Sequence, residues 1–363
     1  MATAPHPTIL SVGRALPPHY ASQDAISAAF REQWGSAHYN LDRLEELHRA
    51  VQVRGRHLAR PLADYAGLDT FARRNDAWIA AALELGEAAV RDALDRAGVG
   101  PRDVDHLFFV TTTGIATPSI DARLAGRLGL RADVRRSPLF GLGCAGGAAG
   151  TARAADWLRG RPDGLAVVLA VEICSLTLQR DDLSIPNLIA AGLFGDGAAA
   201  VVLAGAARPE GAPPRGNPPR PRVVASRAVL YPDTERVMGW DVVDTGFKIV
   251  LSARVPEVVA AHIGGDVDGF LGDCGLGRAD IRHWLAHTGG PRVLQAFAAA
   301  LGLDDGALRR SWSSLAEVGN LSSASVLFVL RDLFDAGEAE PGEHGLMIAM
   351  GPGFGAELVL LRY

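Results

Sequence analysis

The sequence repeats a short pattern in its two halves. Ala97-Gly-Val-Gly-Pro-Arg-Asp-Val-Asp-His-Leu107 and Cys274-Gly-Leu-Gly-Arg-Ala-Asp-Ile-Arg-His-Trp284 share four residues at a constant spacing of 177 positions, as between Gly98 and Gly275. At a spacing of 176, Gly143-Cys144 and Gly319-Asn320 each precede a helical stretch. Gly- and Ala-rich segments also match by chance, but the common order of these matches favours an internal duplication. A fold of two similar halves is therefore expected.

The patterning within each half indicates an α/β fold. Apolar residues at helical spacing from Asp76 to Ala97, ended by Gly98, predict a long helix. Short apolar runs predict buried strands at 107–112, 165–171, 198–203, 346–350 and 358–361. Helical stretches lie between these runs, so we expect largely parallel sheets, with mixed sheets as the alternative.

A proline-rich segment separates the halves. Six prolines between Ala206 and Arg222 prevent a continuous helix or sheet there. We therefore expect an N-terminal half at 1–205 that carries Cys144, an exposed connector at 206–222, and a C-terminal half at 223–363 that carries His287 and Asn320.

Charge and composition exclude several classes of partner. The 36 Lys and Arg residues against 41 Asp and Glu give a net charge of -5 without any basic block, so nucleic acid is not an expected partner. No apolar run approaches the length of about 20 residues that spans a membrane, and the start lacks a secretory signal pattern. The three cysteines are few and far apart, which fits neither disulfides nor a metal site. We expect a cytoplasmic protein that binds no metal.

Three segments carry side chains that could take part in catalysis. Cys144 follows glycines and precedes a helix, whose dipole favours the thiolate, although a buried packing role is the alternative. His287 ends an apolar strand before two glycines and suits a general base, or a core histidine bonded to backbone. Asn320 starts a helix, where asparagine is also an ordinary N-cap.

Taken together, these segments resemble the thiolase superfamily of condensing enzymes, and most closely its type III polyketide synthases, the chalcone-synthase-like group. The Cys, His and Asn of that family's triad match Cys144, His287 and Asn320. The resemblance extends over four further blocks, which are Leu193-Phe-Gly-Asp-Gly-Ala-Ala-Ala200, His287-Thr-Gly-Gly-Pro291, Gly319-Asn-Leu-Ser-Ser-Ala324 and Gly351-Pro-Gly-Phe-Gly355. It implies the thiolase fold, a duplicated αβαβα architecture of five layers, and a homodimer.

The resemblance also implies a reaction. An acyl-CoA starter is loaded on Cys144 and extended by decarboxylative condensation with malonyl-CoA, and the product then cyclises to a resorcinol or pyrone. Cys144 paired with His287 supplies the nucleophile, while His287 and the Asn320 amide hold the enolate oxygen. Coenzyme A thioesters are the substrates, and no cofactor is expected.

Several further positions match substrate-binding positions of the family. Phe194 matches a gatekeeping phenylalanine, and Ile249 replaces a second one. Thr112 and Thr177 match cavity positions, Cys174 replaces a cavity threonine, and Thr117 replaces a methionine that reaches across the dimer. Arg43 and Arg49 are the nearest matches to CoA-binding bases, with a solvated helix face as the alternative. Met238-Gly-Trp-Asp-Val242 looks like the bacterial alkylresorcinol and alkylpyrone synthases, which take fatty acyl starters.

Two other functions compete with this one. A β-ketoacyl synthase III-like enzyme would use the same three residues for a single condensation, although the Thr-Gly-Gly-Pro that follows His287 argues against it. A non-catalytic partner subunit would bind acyl groups, but loss of the nucleophile is then expected, and Cys144 is present.

Overall fold

The structure is a computed structural model and describes residues 6–34, 41–209 and 219–363. The helices are α1 Gln23–Trp34, α2 Leu41–Ala50, α3 Phe71–Ala97, α4 Ile120–Leu128, α5 Gly146–Arg159, α6 Ile185–Leu193, α7 Val255–Asp273, α8 Pro291–Leu301, α9 Arg309–Val318 and α10 Ser325–Ala336. The strands are β1 Thr8–Ala15, β2 His19–Ser22, β3 Gly55–Leu58, β4 His106–Thr111, β5 Arg135–Phe140, β6 Leu165–Ile173, β7 Asp196–Ala204, β8 Arg222–Leu230, β9 Met238–Val243, β10 Gly246–Leu251, β11 Ile281–Ala286, β12 His344–Gly351 and β13 Gly355–Arg362. Residues 210–218 of the predicted connector lie outside the described residues.

The long helix and the five strands predicted from the sequence are all present. Helix α3 begins five residues before the predicted start, because the Thr70 side chain accepts a hydrogen bond from the Arg73 backbone N–H and caps it. It ends at Gly98, whose φ of 71° reverses the chain. The predicted strands correspond to β4, β6, β7, β12 and β13.

Nine strands form one sheet in the order β11-β12-β13-β8-β1-β7-β6-β4-β5. Strands β1 and β8 pair only at Thr8 and Arg222. Outward from this junction the order is β1-β7-β6-β4 on one side and β8-β13-β12-β11 on the other. In each half, the first strand along the chain lies at this junction, the last strand lies next to it and the second-last strand follows. The two halves therefore have the same strand arrangement, which is the symmetry that the duplicated segments predict.

The expectation of largely parallel sheets is wrong. Only β4 with β5, β4 with β6 and β11 with β12 are parallel pairs. The other five neighbouring pairs of the nine-stranded sheet are antiparallel. The connection from β12 to β13 shows one reason, because the few residues between Gly351 and Gly355 form a hairpin and cannot make the crossover that parallel strands need.

The elements stack in five layers. Helix α3 covers the outer face of the first half-sheet, and its buried side chains pack against β4, β6 and β7. Helices α5 and α10 lie between the two half-sheets and contact strands of both. Helices α7 and α8 cover the outer face of the second half-sheet. The αβαβα architecture is thus confirmed, with one core in the middle and one under each outer layer.

The duplicated segments align at one spacing in their first part and at another near Cys144. Gly98 and Gly275 have φ values of 71° and 73°. The side chains of Asp103 and Asp280 each accept a hydrogen bond from the backbone N–H of the glycine three residues earlier in the chain. Helices α5 and α10, however, begin 179 positions apart, at Gly146 and Ser325. Cys144 is therefore equivalent to Ser323 of the second half. The equivalence of Cys144 with Asn320 that the sequence suggested is wrong, because the two halves differ in length between these segments.

Among residues 6–34, 41–209 and 219–363, every helix is too short or too polar to span a membrane. In the same part of the chain, no cluster of three or more His, Cys, Asp or Glu side chains could hold a metal ion.

Candidate active site

Cys144 lies where the N-termini of two central helices meet. It sits in the turn Gly143–Ala145 directly before α5, and the equivalent turn Ser322–Ala324 stands directly before α10. The two turns approach closely, because a Cβ atom at Gly147 would come within 2.2 Å of the Ser323 carbonyl oxygen. Small residues at the start of α5 are therefore required to bring these helix ends together.

Two polar side chains hold the Cys144 sulfur. Its thiol donates to the Ser322 hydroxyl oxygen at 3.7 Å, and the Asn320 side chain forms a second hydrogen bond with it. Complete burial nevertheless raises the pKa of Cys144 to about 12, and the nearby Glu172 charge acts in the same direction. Burial therefore opposes the thiolate that the helix dipole favours at this position.

His287 is buried and electrically neutral. It follows β11, and its backbone N–H donates to the Ile348 carbonyl of the neighbouring strand β12 at 2.8 Å. Neither of its ring nitrogens has a hydrogen-bond partner among residues 6–34, 41–209 and 219–363. Burial lowers the pKa of His287 to about 3. The imidazole forms no hydrogen bond with Cys144, so both ring nitrogens are unpaired inside the described part of the protein.

Asn320 connects Cys144 to Phe194. Its side-chain oxygen accepts the Ser322 backbone N–H at 2.8 Å, which leaves the amide nitrogen for Cys144. Its backbone N–H donates to the Leu193 carbonyl at 2.9 Å, and its carbonyl accepts the Gly195 N–H at 3.0 Å. These two backbone bonds bracket Phe194 and fix it relative to the Asn320 amide.

A buried carboxyl group lies beside this cluster. Glu172 accepts hydrogen bonds from the Ser323 hydroxyl at 2.5 Å, the Thr113 hydroxyl at 2.9 Å and the Thr112 backbone N–H at 3.1 Å. Burial raises the pKa of Glu172 to about 7 in spite of these bonds. Ser323, the symmetry counterpart of Cys144, is thus engaged by Glu172.

A mainly apolar pocket opens next to the cluster and has a volume of about 780 Å³, including the space at its mouth. Four of the predicted substrate-binding residues line it, namely Cys174, Thr177, Phe194 and Ile249. Apolar side chains that include Ile26, Phe30, Leu58 and Leu62 continue the wall away from Phe194. Thr112 lies behind this wall, where its hydroxyl accepts a hydrogen bond from the Trp240 indole at 3.2 Å.

The remaining predicted residues lie elsewhere. Thr117 is exposed and does not line the pocket. Arg43 and Arg49 lie on α2 with side chains 55% and 76% exposed, and each is ion-paired with a glutamate of the same helix. The structure therefore places neither arginine at the pocket wall.

Five residues of the site were not predicted from the sequence. These are Arg56, Tyr65, Ser175, Trp240 and Ser322. Trp240 stands opposite Ile249 in the β9–β10 hairpin and had a signal, because it lies within the segment 238–242 that resembles the family. Tyr65 and Arg56 gave no signal, since nothing in the sequence relates them to Phe194.

The matches to known families cover nearly the whole chain. Residues 1–207 match "Chalcone and stilbene synthases, N-terminal domain", and residues 222–363 match "Chalcone and stilbene synthases, C-terminal domain".

Named relatives agree with these matches. The chain is 50% identical over 356 residues to the 1,3,6,8-tetrahydroxynaphthalene synthase of Streptomyces peucetius subsp. caesius, covering 98% of this chain and 93% of the relative. It is 36% identical over 362 residues to a putative chalcone synthase of Bacillus subtilis, covering 98% of each. The crystal structure of 1,3,6,8-tetrahydroxynaphthalene synthase from Streptomyces coelicolor superposes with a TM-score of 0.90 at 32% identity, covering 98% of this chain and 99% of the other.

Proposed function

Because the chain belongs to the chalcone and stilbene synthase family and is a type III polyketide synthase, we propose that it converts malonyl-CoA alone into a ten-carbon polyphenol of the tetrahydroxynaphthalene kind. The 50% identity to a synthase of that name supports this product. The ten ring carbons of a naphthalene correspond to five two-carbon units, which five malonyl groups supply when each loses carbon dioxide. No separate acyl starter is then needed.

Cys144 is the proposed nucleophile. The observation that carries this role is the hydrogen bonding of its sulfur by Ser322 and Asn320 at the junction of α5 and α10. The thiol attacks the acyl-CoA carbonyl while its proton passes to His287, and His287 returns the proton to the departing CoA sulfur. A neutral imidazole is required for the first transfer, and the lowered pKa of His287 keeps it neutral.

His287 and Asn320 are the proposed donors for the enolate. When malonyl-CoA loses carbon dioxide, negative charge develops on the thioester oxygen and needs donors in a site without water. The single ring N–H of the neutral His287 imidazole and the Asn320 amide N–H group would supply these donors. The enolate carbon then attacks the Cys144 thioester, and the sulfur leaves with the bonding electrons.

Phe194, Thr112, Cys174, Thr177 and Ile249 are proposed to shape the space for the growing chain. Phe194 stands between the Asn320 amide and the pocket, where its ring would exclude water from the malonyl carboxylate. Arg43 and Arg49 remain candidates for the coenzyme A phosphates, since α2 packs beside α6, which precedes Phe194.

A homodimer and a cytoplasmic location are part of the same proposal. Ile115 and Phe140 are about half exposed at the same end of β4 and β5, and exposed apolar side chains at a sheet edge suit a contact with a second copy. Cys144, Cys174 and Cys274 are free thiols, as expected in a reducing compartment. Light scattering of the purified protein measures the oligomeric state, and a monomeric mass would contradict the homodimer.

A second candidate product is an alkylresorcinol or alkylpyrone made from a fatty acyl starter. The apolar pocket wall from Cys174 to Phe30 favours it. One assay separates the two, in which the enzyme is incubated with malonyl-CoA alone or with acyl-CoAs from acetyl to long-chain, and products are identified by mass. A ten-carbon aromatic from malonyl-CoA alone supports the first proposal, whereas products that appear only with long acyl-CoAs contradict it.

A further inference from the structure

A chain of hydroxyl groups runs from the pocket to a buried carboxyl group. The Tyr65 and Ser175 hydroxyl oxygens are 2.5 Å apart, and the Ser175 hydroxyl donates to Asp196 at 2.5 Å. Tyr65 and Ser175 both line the pocket, and Asp196 is completely buried behind them. Nothing in the proposed condensation steps uses these three residues, which we refer to as the hydroxyl chain.

The hydrogen bonds of the hydroxyl chain point in one direction. Ser175 has a single hydroxyl hydrogen, and Asp196 takes it. Tyr65 must therefore donate to Ser175, because the serine oxygen has only acceptor capacity left. The Tyr65 oxygen also accepts a backbone hydrogen bond from Arg60, and it keeps acceptor capacity toward the pocket. The pocket wall thus presents a phenol oxygen that is connected through Ser175 to a carboxylate.

The environment of Asp196 favours a carboxylate that can take up a proton. The Ser175 and Ala59 backbone N–H groups donate to it at 2.8 and 2.7 Å, and the Arg56 charge lies nearby, all of which stabilise the ionised form. Burial outweighs them and raises the pKa of Asp196 to about 6. A proton delivered along the hydroxyl chain is therefore held more readily than on a surface aspartate.

The hydroxyl chain differs from a purely structural tyrosine–carboxylate hydrogen bond, because Tyr65 and Ser175 line the pocket. Tyr231 also donates its hydroxyl to a carboxylate, Asp266, at 2.5 Å, but neither residue lines the pocket. That pair ends at an aspartate of α7 and has no second hydroxyl between its members. Tyr231 therefore provides an internal comparison for a tyrosine that only supports the fold.

We propose that Tyr65 is a catalytic acid-base residue for ring closure of the polyketide, and that Ser175 and Asp196 relay its proton. This inference rests on the proposed function, because it requires a poly-β-ketone in the pocket. Tyr65 takes a proton from a methylene between two ketones while its own proton moves to Ser175 and the serine proton moves to Asp196. The resulting enolate carbon bonds to a ketone carbon of the same chain, and the ketone π electrons move to oxygen. The relay then runs backwards and protonates that alkoxide, so no proton is gained or lost.

Tyr65→Phe tests the inference, because it removes only the hydroxyl. General acid-base groups contribute roughly 100-fold to 10,000-fold to a rate. We therefore expect the ratio of aromatic product to uncyclised acids and their lactones to fall at least about tenfold. Release of coenzyme A from malonyl-CoA is measured in the same reactions, so that the product ratio is compared at equal numbers of extension steps. Ser175→Ala should give the same change in ratio, and Ser175→Thr, which keeps a hydroxyl, should restore it.

Tyr231→Phe is the matched control and should leave the product ratio unchanged. A wild-type ratio in Tyr65→Phe overturns the inference, and so does an equal change in Tyr231→Phe. Failure of the proposed function appears in the wild type, before any variant is made. If the wild type forms a different ring, the product proposal is wrong while the variants still test the relay. If it releases only uncyclised products, both proposals are wrong.

Discussion

Gly143 and Ser322 have the same left-handed φ of 48° at equivalent positions of the two halves. Each starts the turn that leads into a central helix, α5 or α10. Glycine adopts this conformation without strain, whereas a serine costs about 1–2 kcal/mol there. The Ser322 hydroxyl lies 3.7 Å from the Cys144 sulfur. The second half thus has a serine and not a glycine at this strained backbone position, and the serine oxygen reaches the Cys144 sulfur of the first half.

We expect Ser322→Gly to be more stable than wild type and less reactive at Cys144. Relief of the strain should raise the free energy of unfolding by about 1 kcal/mol. Loss of the hydroxyl should raise the thiol pKa further and slow alkylation by iodoacetamide roughly tenfold, the size of one hydrogen bond to a charged group. Urea unfolding and intact mass against time measure the two effects. Faster alkylation in the variant would contradict the role of Ser322.

Cys144→Ala should separate loading from decarboxylation. Without the sulfur no acyl-enzyme or polyketide can form, but carbon dioxide should still leave malonyl-CoA, because His287 and Asn320 hold the enolate oxygen without it. Asn320→Ala should reduce both steps, by about 100-fold to 1,000-fold for one lost donor. Release of labelled carbon dioxide and intact mass follow the two steps. If a folded Cys144→Ala variant binds malonyl-CoA and releases none, the thiol takes part in decarboxylation and the assigned roles are wrong.

Ile249→Phe should narrow the pocket opposite Trp240 and exclude long acyl starters. Ile249 and Trp240 are paired across β9 and β10, and both line the pocket, so added aromatic bulk is resisted by close packing. The measurement is the product profile with acyl-CoAs of increasing length. Val242→Phe adds similar bulk at a side chain of the same hairpin that is 72% exposed, and it should leave the profile unchanged. An unchanged profile in active Ile249→Phe would show that this residue does not limit the starter.

His48 should make stability depend on pH. Burial and the Arg56 charge lower the pKa of His48 to about 4. Between pH 6.5 and 4 the unfolded chain therefore binds a proton that the folded protein does not, and the free energy of unfolding falls as the pH falls. His48→Gln lacks this term, so its stability difference from wild type should shrink by up to about 1.4 kcal/mol per pH unit in that window. Urea unfolding at several pH values measures the difference, and parallel curves would rule the effect out.

The sequence contained the information for the duplicated architecture. Strands β4, β6, β7, β12 and β13 are short apolar runs, and α3 ends at Gly98, so local patterning was enough to predict these elements. Strand β5, Arg135–Phe140, is mostly exposed and is not an apolar run, so it gave no such pattern. The direction of the strands was not predicted, because it depends on which strands become neighbours. The shift from 177 to 179 positions between the halves was also hidden, since short Gly-rich segments match almost equally well at several spacings.

The sequence by itself determined the family and the proposed residues Cys144, His287 and Asn320, because these lie in blocks whose residue order is specific. Only the tertiary structure decided which groups surround them. The Ser322 hydroxyl reaches Cys144 from 178 positions away, and Tyr65 meets Ser175 across 110 positions. Burial raises the pKa of Cys144 and lowers the pKa of His287, so in both it favours the uncharged form. Such contacts and desolvation arise from the packing of distant segments, which local sequence patterns do not encode.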